Sequence, residues 1–252
     1  MSDLFWLTDD QMERLRPFFP RSHGKPRVDD RRVLSGIVFI NRNGLRWRDA
    51  LSAYGPHKTL YNRWKRWGER GVFTRMMEGL AAGNAEPKTV MIDAIYLKAH
   101  RTASSLRVKK GDFGRLIGST KGGMNTKLHA VADANGRSLS FFMTAGQVSG
   151  YTGAAALLDD MPNAQWLLGD RGYDADWFRD ALQAKGIQPC IPGRRSRNKP
   201  VKYDKRRYRC RSRIEIMFGR LKDWRRVATR YDRCPTAFFA AVALAATVIF
   251  WL

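Results

Sequence analysis

The sequence predicts an α/β fold, a mixed sheet with helices on both faces, preceded by an all-helical N-terminal part. Three observations carry this. Through residues 1–85 the apolar residues recur at helical spacing. A polar, proline-containing joint, Asn84–Lys88, then interrupts the chain. After it come short runs rich in β-branched and aromatic residues, first as a hairpin and then alternating with helical stretches, the order of βα units. The chain therefore divides into a helical domain, 1–85, and an α/β domain, 86–252.

In the N-terminal part Thr8 caps a helix over Asp9–Phe18, and Pro17, Pro20 and Pro26 break the chain. A second helix, Asp29–Arg42, carries Val33, Ile37 and Ile40 at helical spacing, and a short third covers Trp47–Leu51. After the Gly55-Pro56 turn, Lys58–Arg70 places Leu60, Trp64 and Trp67 on one face. Lys58, Asn62, Lys65 and Arg66 face outward, with Tyr61 and Arg63 at the margins. A short helix, a tight turn and a basic helix resemble a helix-turn-helix whose second helix enters a major groove. A solvated basic face is the other account of the same pattern.

In the second part Thr89–Leu97 reads as a strand with Asp93 in its middle, and a carboxylate among apolar neighbours is costly unless paired or bound to a cation. A polar loop, 98–124, holds five glycines. Lys127–Ala134 and Arg137–Thr144 form a hairpin around Ala-Asn-Gly, where turn chemistry accounts for Asp133. A helix over Gly150–Leu158 follows, then a strand Trp166–Leu168 ending in Gly169-Asp170. Asp174 is expected to cap a helix through Lys185, and Ile187–Ile191 is one more strand. The apolar C-terminal run Thr236–Leu252, 17 residues, is at the short limit for a membrane span and reads as a buried helix closing the fold.

Lys plus Arg number 46 against 23 acids, a net charge of +23. That charge repels itself unless a polyanion neutralises it, which makes nucleic acid the leading partner and an anionic membrane surface the second. Residues 193–233 hold 17 Lys or Arg against 4 acids, more than half of the surplus. Cys190, Cys210 and Cys234 are neither a disulfide framework nor a zinc pattern and suit a reducing compartment. The opening residues show no secretory signal, so a cytoplasmic protein is expected.

Within the basic segment lies Tyr208–Lys222. Wound as one α-helix at about 100° per residue, it brings Tyr208, Arg211, Glu215 and Lys222 within roughly 60° of arc. Ile214, Met217, Phe218, Leu221 and Trp224 form the core-facing arc. Glu215 is then either the ion-pair partner of its arginines or a metal ligand. Phosphodiester chemistry draws on two divalent cations, and hard cations such as Mg²⁺ take oxygen ligands from carboxylates on separate rigid elements. Asp93 in mid-strand, Asp170 at a strand's carboxyl end and Glu215 on a docking helix answer that description, though spacing alone is weak ground among 23 acids.

The motif adds what spacing does not. Tyr208, Arg211, Glu215 and Lys222 match the Y-x2-R-x3-E-x6-K signature of DDE transposases of bacterial insertion sequences. LLGDRGYD around Asp170 and MIDAIYLKAHR around Asp93 fit as well, and residues 28–250 resemble the insertion sequence 5 family. The resemblance implies an RNase H-like fold, with Asp93, Asp170 and Glu215 as catalytic acids and ligands of two Mg²⁺ ions, Mn²⁺ substituting. It implies that Tyr208, Arg211 and Lys222 hold the phosphates at the transposon end; the partners expected are double-stranded DNA, terminal inverted repeats and target, and a second copy in a homodimer or higher synaptic assembly. Arg171, Tyr173 and Lys127 are weaker candidates. A DNA-binding protein without catalysis, and a nuclease of the same fold without strand transfer, remain alternatives.

Overall fold

The computed structural model describes residues 4–20, 29–83, 88–105 and 114–252. The joint at Asn84–Lys88 (apart from Lys88), the break at Pro26 and the middle of the 98–124 loop lie outside the described residues. The chain forms two compact units, one of Met1–Leu80, His100–Ser105 and Leu221–Leu252, the other of Ala81–Ala99 and Leu106–Arg220.

The first unit is helical. Helix α1 (Asp9–Leu15) begins at Thr8, whose hydroxyl accepts from the Gln11 amide while the Gln11 side chain accepts from the Thr8 amide, a capping box. It ends earlier than expected, passing into a 3-10 turn at Arg16–Phe18 where Pro17 cannot continue the ladder. Helix α2 (Asp30–Asn43) stops at Gly44, which adopts a left-handed conformation (φ 66°) that closes the helix end. Trp47–Asp49 is a 3-10 turn rather than an α-helix. Helix α3 (His57–Glu69) buries Leu60, Trp64 and Trp67 as predicted, and α4 (Val72–Ala82) follows. Short α5 (Arg101–Ser104) and, beyond the second unit's elements, α10 (Arg225–Ala228), a two-residue strand Thr229–Arg230, α11 (Pro235–Ala246) and a π-helical turn Thr247–Trp251 also belong to the unit. Helix α11 is apolar all round and packs against α2 and α3 with Phe238 and Ala240–Ala246 buried, the fate expected of such a helix. Among the described residues no helix is long and apolar enough to cross a membrane.

The second unit is a mixed sheet. Its strands are β1 (Thr89–Ala99), β2 (Gly118–Thr120), β3 (Gly123–Asp133), β4 (Ser138–Ala145), β5 (Trp166–Gly169) and β6 (Gln188–Cys190). The order is β2-β3-β1-β5-β6, with β4 also paired to β3. The β1–β3 and β3–β4 pairs are antiparallel, as a hairpin requires, and β1–β5 and β5–β6 are parallel, as crossovers through helices require. Helices α6 (Gly150–Leu158) and α7 (Asp176–Ala184) supply those connections. Ala154, Leu157, Phe178 and Leu182 from them pack on Val90, Ile92, Val131 and Leu167. Because side chains alternate along a strand, Met91 and Asp93 then face the other side of β1. Two helices from the basic segment, α8 (Lys205–Arg209) and α9 (Ser212–Lys222), end the unit's chain.

Asp133 takes the structural role predicted. Its Oδ1 accepts from the Asn135 and Arg137 amides and its Oδ2 from the Arg137 guanidinium, closing the β3–β4 turn. Asp174 differs from expectation. The cap of α7 is Ala175, and Asp174 is instead a buried ion-pair centre: Arg179 Nε at 2.8 Å, Arg197 Nε at 3.0 Å and the Arg194 amide at 2.7 Å all donate to it. Three donors gathered from residues 5 to 23 positions away satisfy it more fully than a helix end could.

Candidate active site

Asp93 and Asp170 are brought together by sheet register. In the parallel pair of β1 and β5, Ile92 is the partner of Gly169. Asp93 and Asp170 each follow a member of that pair, so Asp93 in β1 lies beside Asp170 just past the end of β5, where the two strands are about 4.8 Å apart. Asp93 is held by its own neighbour, the Ala94 amide donating to Oδ1 at 2.7 Å. Asp170 caps the turn Arg171–Tyr173, its Oδ1 accepting from the Gly172 amide at 2.8 Å. Both carboxylates are therefore oriented by backbone N–H groups.

The third acid arrives on a helix that is not the continuous one expected. The chain breaks at Cys210–Arg211, between α8 and α9, so Tyr208 stands on one helix and Glu215 and Lys222 on the next. The apolar arc is nonetheless buried: Ile214, Met217, Phe218, Leu221 and Trp224 are all at most 3% exposed. The break sets Arg211 at a turn, and its side chain serves two acids at once. Nη1 donates to Asp93 Oδ2 at 2.8 Å and Nη2 to Glu215 Oε1 at 2.5 Å. Its guanidinium also lies 5.8 Å from the ring centre of Tyr208, which in turn meets Tyr203 edge to face.

The electrostatics tie the group together. Burial pushes the Asp93 carboxyl above its ordinary range; the Ala94 amide and Arg211 pull it down, and Asp170 and Glu215 push it up again. Lys127, one strand away on β3, has its ammonium lowered by burial and supported by Asp170 and Asp93. It donates to the Val148 carbonyl at 3.3 Å and lies over the exposed ring of Tyr96. The Tyr173 phenol is buried, and its pKa is raised by burial and then by the same two aspartates. Arg171 is exposed, as is Lys222 at the end of α9, about two helical turns beyond Glu215. In the helical unit Lys58, Asn62, Lys65 and Arg66 are exposed on α3 as predicted, whereas Arg63 is buried against Asp30 at 2.9 Å.

Among the described residues no three His, Cys, Asp or Glu side chains are already arranged to hold a metal ion, and Glu215 is turned to Arg211. The donor set still suits a hard divalent cation. It is all oxygen, Asp93 lies in β1 with Asp170 just past the end of the neighbouring β5, and the Asp93 carboxyl is raised by burial and further by Asp170 and Glu215. The local signal that sequence lacks is the link from Arg211 to Asp93, 118 residues away.

A pair of carboxylates far apart in sequence thus stands at two neighbouring parallel strands, near the strongly basic segment that carries Arg211 and Glu215. The comparisons give the family. Residues 84–251 match the model described as "Transposase DDE domain", and the chain belongs to that family; residues 7–77 match "Putative transposase of IS4/5 family". The chain is 37% identical over 131 residues to "Putative transposase for insertion sequence element IS6501" of Brucella ovis, covering 51% of this chain and 99% of that one. It is 38% identical over 108 residues to "Uncharacterized protein y4sN" of Sinorhizobium fredii, covering 42% of this chain and 86% of that one. Its fold is similar to that of piggyBac transposase in a synaptic complex with hairpin DNA, with a TM-score of 0.54 at 8% identity, over 97% of this chain and 72% of that one.

Proposed function

We propose that this DDE transposase cleaves DNA at the ends of its own insertion sequence and joins the freed 3′-hydroxyls to target DNA, using Asp93, Asp170 and Glu215. The observation that supports this most directly is the register that places Asp93 beside Asp170, with Glu215 tied to Asp93 through Arg211. The three acids would hold two Mg²⁺ ions, with Mn²⁺ as substitute, and such ions supply charge neutralisation at the phosphate and a more acidic attacking hydroxyl. The chain's own part is orientation. The Ala94 and Gly172 amides fix the two aspartates before substrate arrives.

In the first step water attacks phosphorus at the element's end, the bond to the 3′-oxygen breaks, and that oxygen leaves as a 3′-hydroxyl opposite a 5′-phosphate. In the second the 3′-hydroxyl loses its proton and attacks a target phosphodiester, displacing the target's own 3′-oxygen. Arg211 grips phosphate bidentately, Lys222 supplies a point charge, and Tyr208 gives a hydroxyl or a stacking face. The exposed cations of α3 contact the terminal inverted repeats. Two ends are processed together, which calls for a dimer or a higher assembly, and the chemistry belongs in the cytoplasm with the DNA.

Pre-cut element ends incubated with a supercoiled target and Mg²⁺ test the second step. Joined products are expected. Cleavage of intact ends without joining would instead support a nuclease, and DNA binding with neither reaction would support a protein that has lost catalysis.

A further inference from the structure

Asp93 and Glu215 share one counter-ion. Arg211 reaches Asp93 Oδ2 at 2.8 Å and Glu215 Oε1 at 2.5 Å, and its side chain is 18% exposed beside an Asp93 that is 17% exposed. This is not the solvated surface pair that contributes little. The other oxygen of Asp93 already accepts the Ala94 amide. Both oxygens of that acid are thus engaged, one of them by a full positive charge. A divalent cation taking the same oxygens would meet the guanidinium at contact distance, where like charges repel most strongly.

We propose that Arg211 is a resident counter-ion that keeps the acid centre closed to divalent cations until a DNA phosphate draws its guanidinium away. This rests on the acid site proposed above and adds its regulation. A phosphate presents paired oxygens that match the guanidinium fork, so it competes for Arg211 on the same geometry as the two carboxylates. The Tyr208 ring beside the guanidinium gives it an aromatic face to move along. Cation loading and DNA binding then favour each other by the same factor, whichever comes first.

The test is Mn²⁺ titrated into the DNA-free full chain and followed by the paramagnetic resonance of the free ion, for the native protein, Arg211→Gln and Arg211→Lys. Lysine keeps the charge and cannot span two acids, so it separates bridging from charge alone. Arg211→Gln is expected to bind Mn²⁺ about tenfold more tightly than the native chain, and Arg211→Lys by a smaller factor, since it loses the bridge but keeps the charge. Duplex DNA is expected to tighten Mn²⁺ binding by the native chain and to leave that of Arg211→Gln unchanged. Equal Mn²⁺ affinity in all three DNA-free proteins would overturn the proposal, as would Arg211→Lys behaving like the native chain while Arg211→Gln tightens. Adding Asp93→Asn to Arg211→Gln should abolish the gain; a gain that survives would show that the acids are not the ligands, a failure of the site itself rather than of its gate.

Discussion

Arg211 and Asp93 are 118 residues apart in the chain and 2.8 Å apart in the fold, Nη1 of the one donating to Oδ2 of the other. The same guanidinium holds Glu215, but the two acids differ in setting: the Glu215 side chain is 56% exposed and that of Asp93 17%. Glu215→Gln should therefore shift stability by less than about 0.5 kcal/mol, the usual range for a solvated side chain. Thermal melting checks it, and an unchanged midpoint makes any loss of activity in that variant a matter of chemistry.

Asp174 has the opposite character. Its side chain is 1% exposed and bridges Arg179 and Arg197. Arg194, whose amide it accepts, donates from its side chain to the carbonyls of Arg171 and Gly172 beside Asp170. Asp174→Ala removes the acid from the buried Arg179, whose remaining partner is the Ile191 carbonyl, while Arg197 keeps Asp176; the loss is expected to cost about 3 kcal/mol. Burial pushes this carboxyl up, but the Arg194 amide, Arg179 and Arg197 outweigh it and hold it below the usual range. Its stabilising effect is then present above the ordinary carboxylate pKa of about 3.9 and lost as pH falls through the lower folded value. Denaturant melts of the variant measure the first effect, and acid titration of the native chain follows the second.

His129 sets a second pH dependence. It is fully buried on β3, bonded through Nε2 to Thr144 at 3.0 Å, and burial with Lys127 behind it pulls its pKa to about 4 from 6.5. The folded state therefore disfavours the proton that the unfolded chain takes up. Stability should be full above pH 6.5 and fall by about 3 kcal/mol as pH drops from there towards 4. Melting curves of His129→Gln across that window should lack this part of the slope.

On α3 neighbouring residues separate fold from binding. Lys58, Lys65 and Arg66 are exposed, and changing each to Ala should leave the melting temperature alone. Each change should weaken binding to end DNA and lower the slope of log affinity against log salt by about 1. Arg63, buried against Asp30 and 5.4 Å from the Trp67 ring centre, should behave differently. Arg63→Ala is expected to cost about 3–5 kcal/mol of stability.

What the sequence made legible follows from what is local. The outward face of α3, the β3–β4 turn at Asp133, the strand-end position of Asp170 and the buried arc from Ile214 to Trp224 depend on periodicity and turn chemistry within a few residues. The break at Cys210–Arg211 and the ion-pair centre at Asp174 do not. A helical wheel gives Arg211 to Glu215 by spacing, yet the second acid comes from β1, and only the folded sheet brings it near. Likewise the aspartate that looks like a cap before α7 is claimed by arginines up to 23 residues downstream.

If Asp93, Asp170 and Glu215 act as one centre on DNA, losing any one of the three carboxylates ends the chemistry. The measurement is Mg²⁺-dependent cleavage of a duplex carrying the element's end, by the native chain and by Asp93→Asn, Asp170→Asn and Glu215→Gln, each shown to be folded and to bind that duplex. Cleavage by the native chain is expected, and none by any of the three variants. Cleavage that survives in any one of them would contradict a single centre.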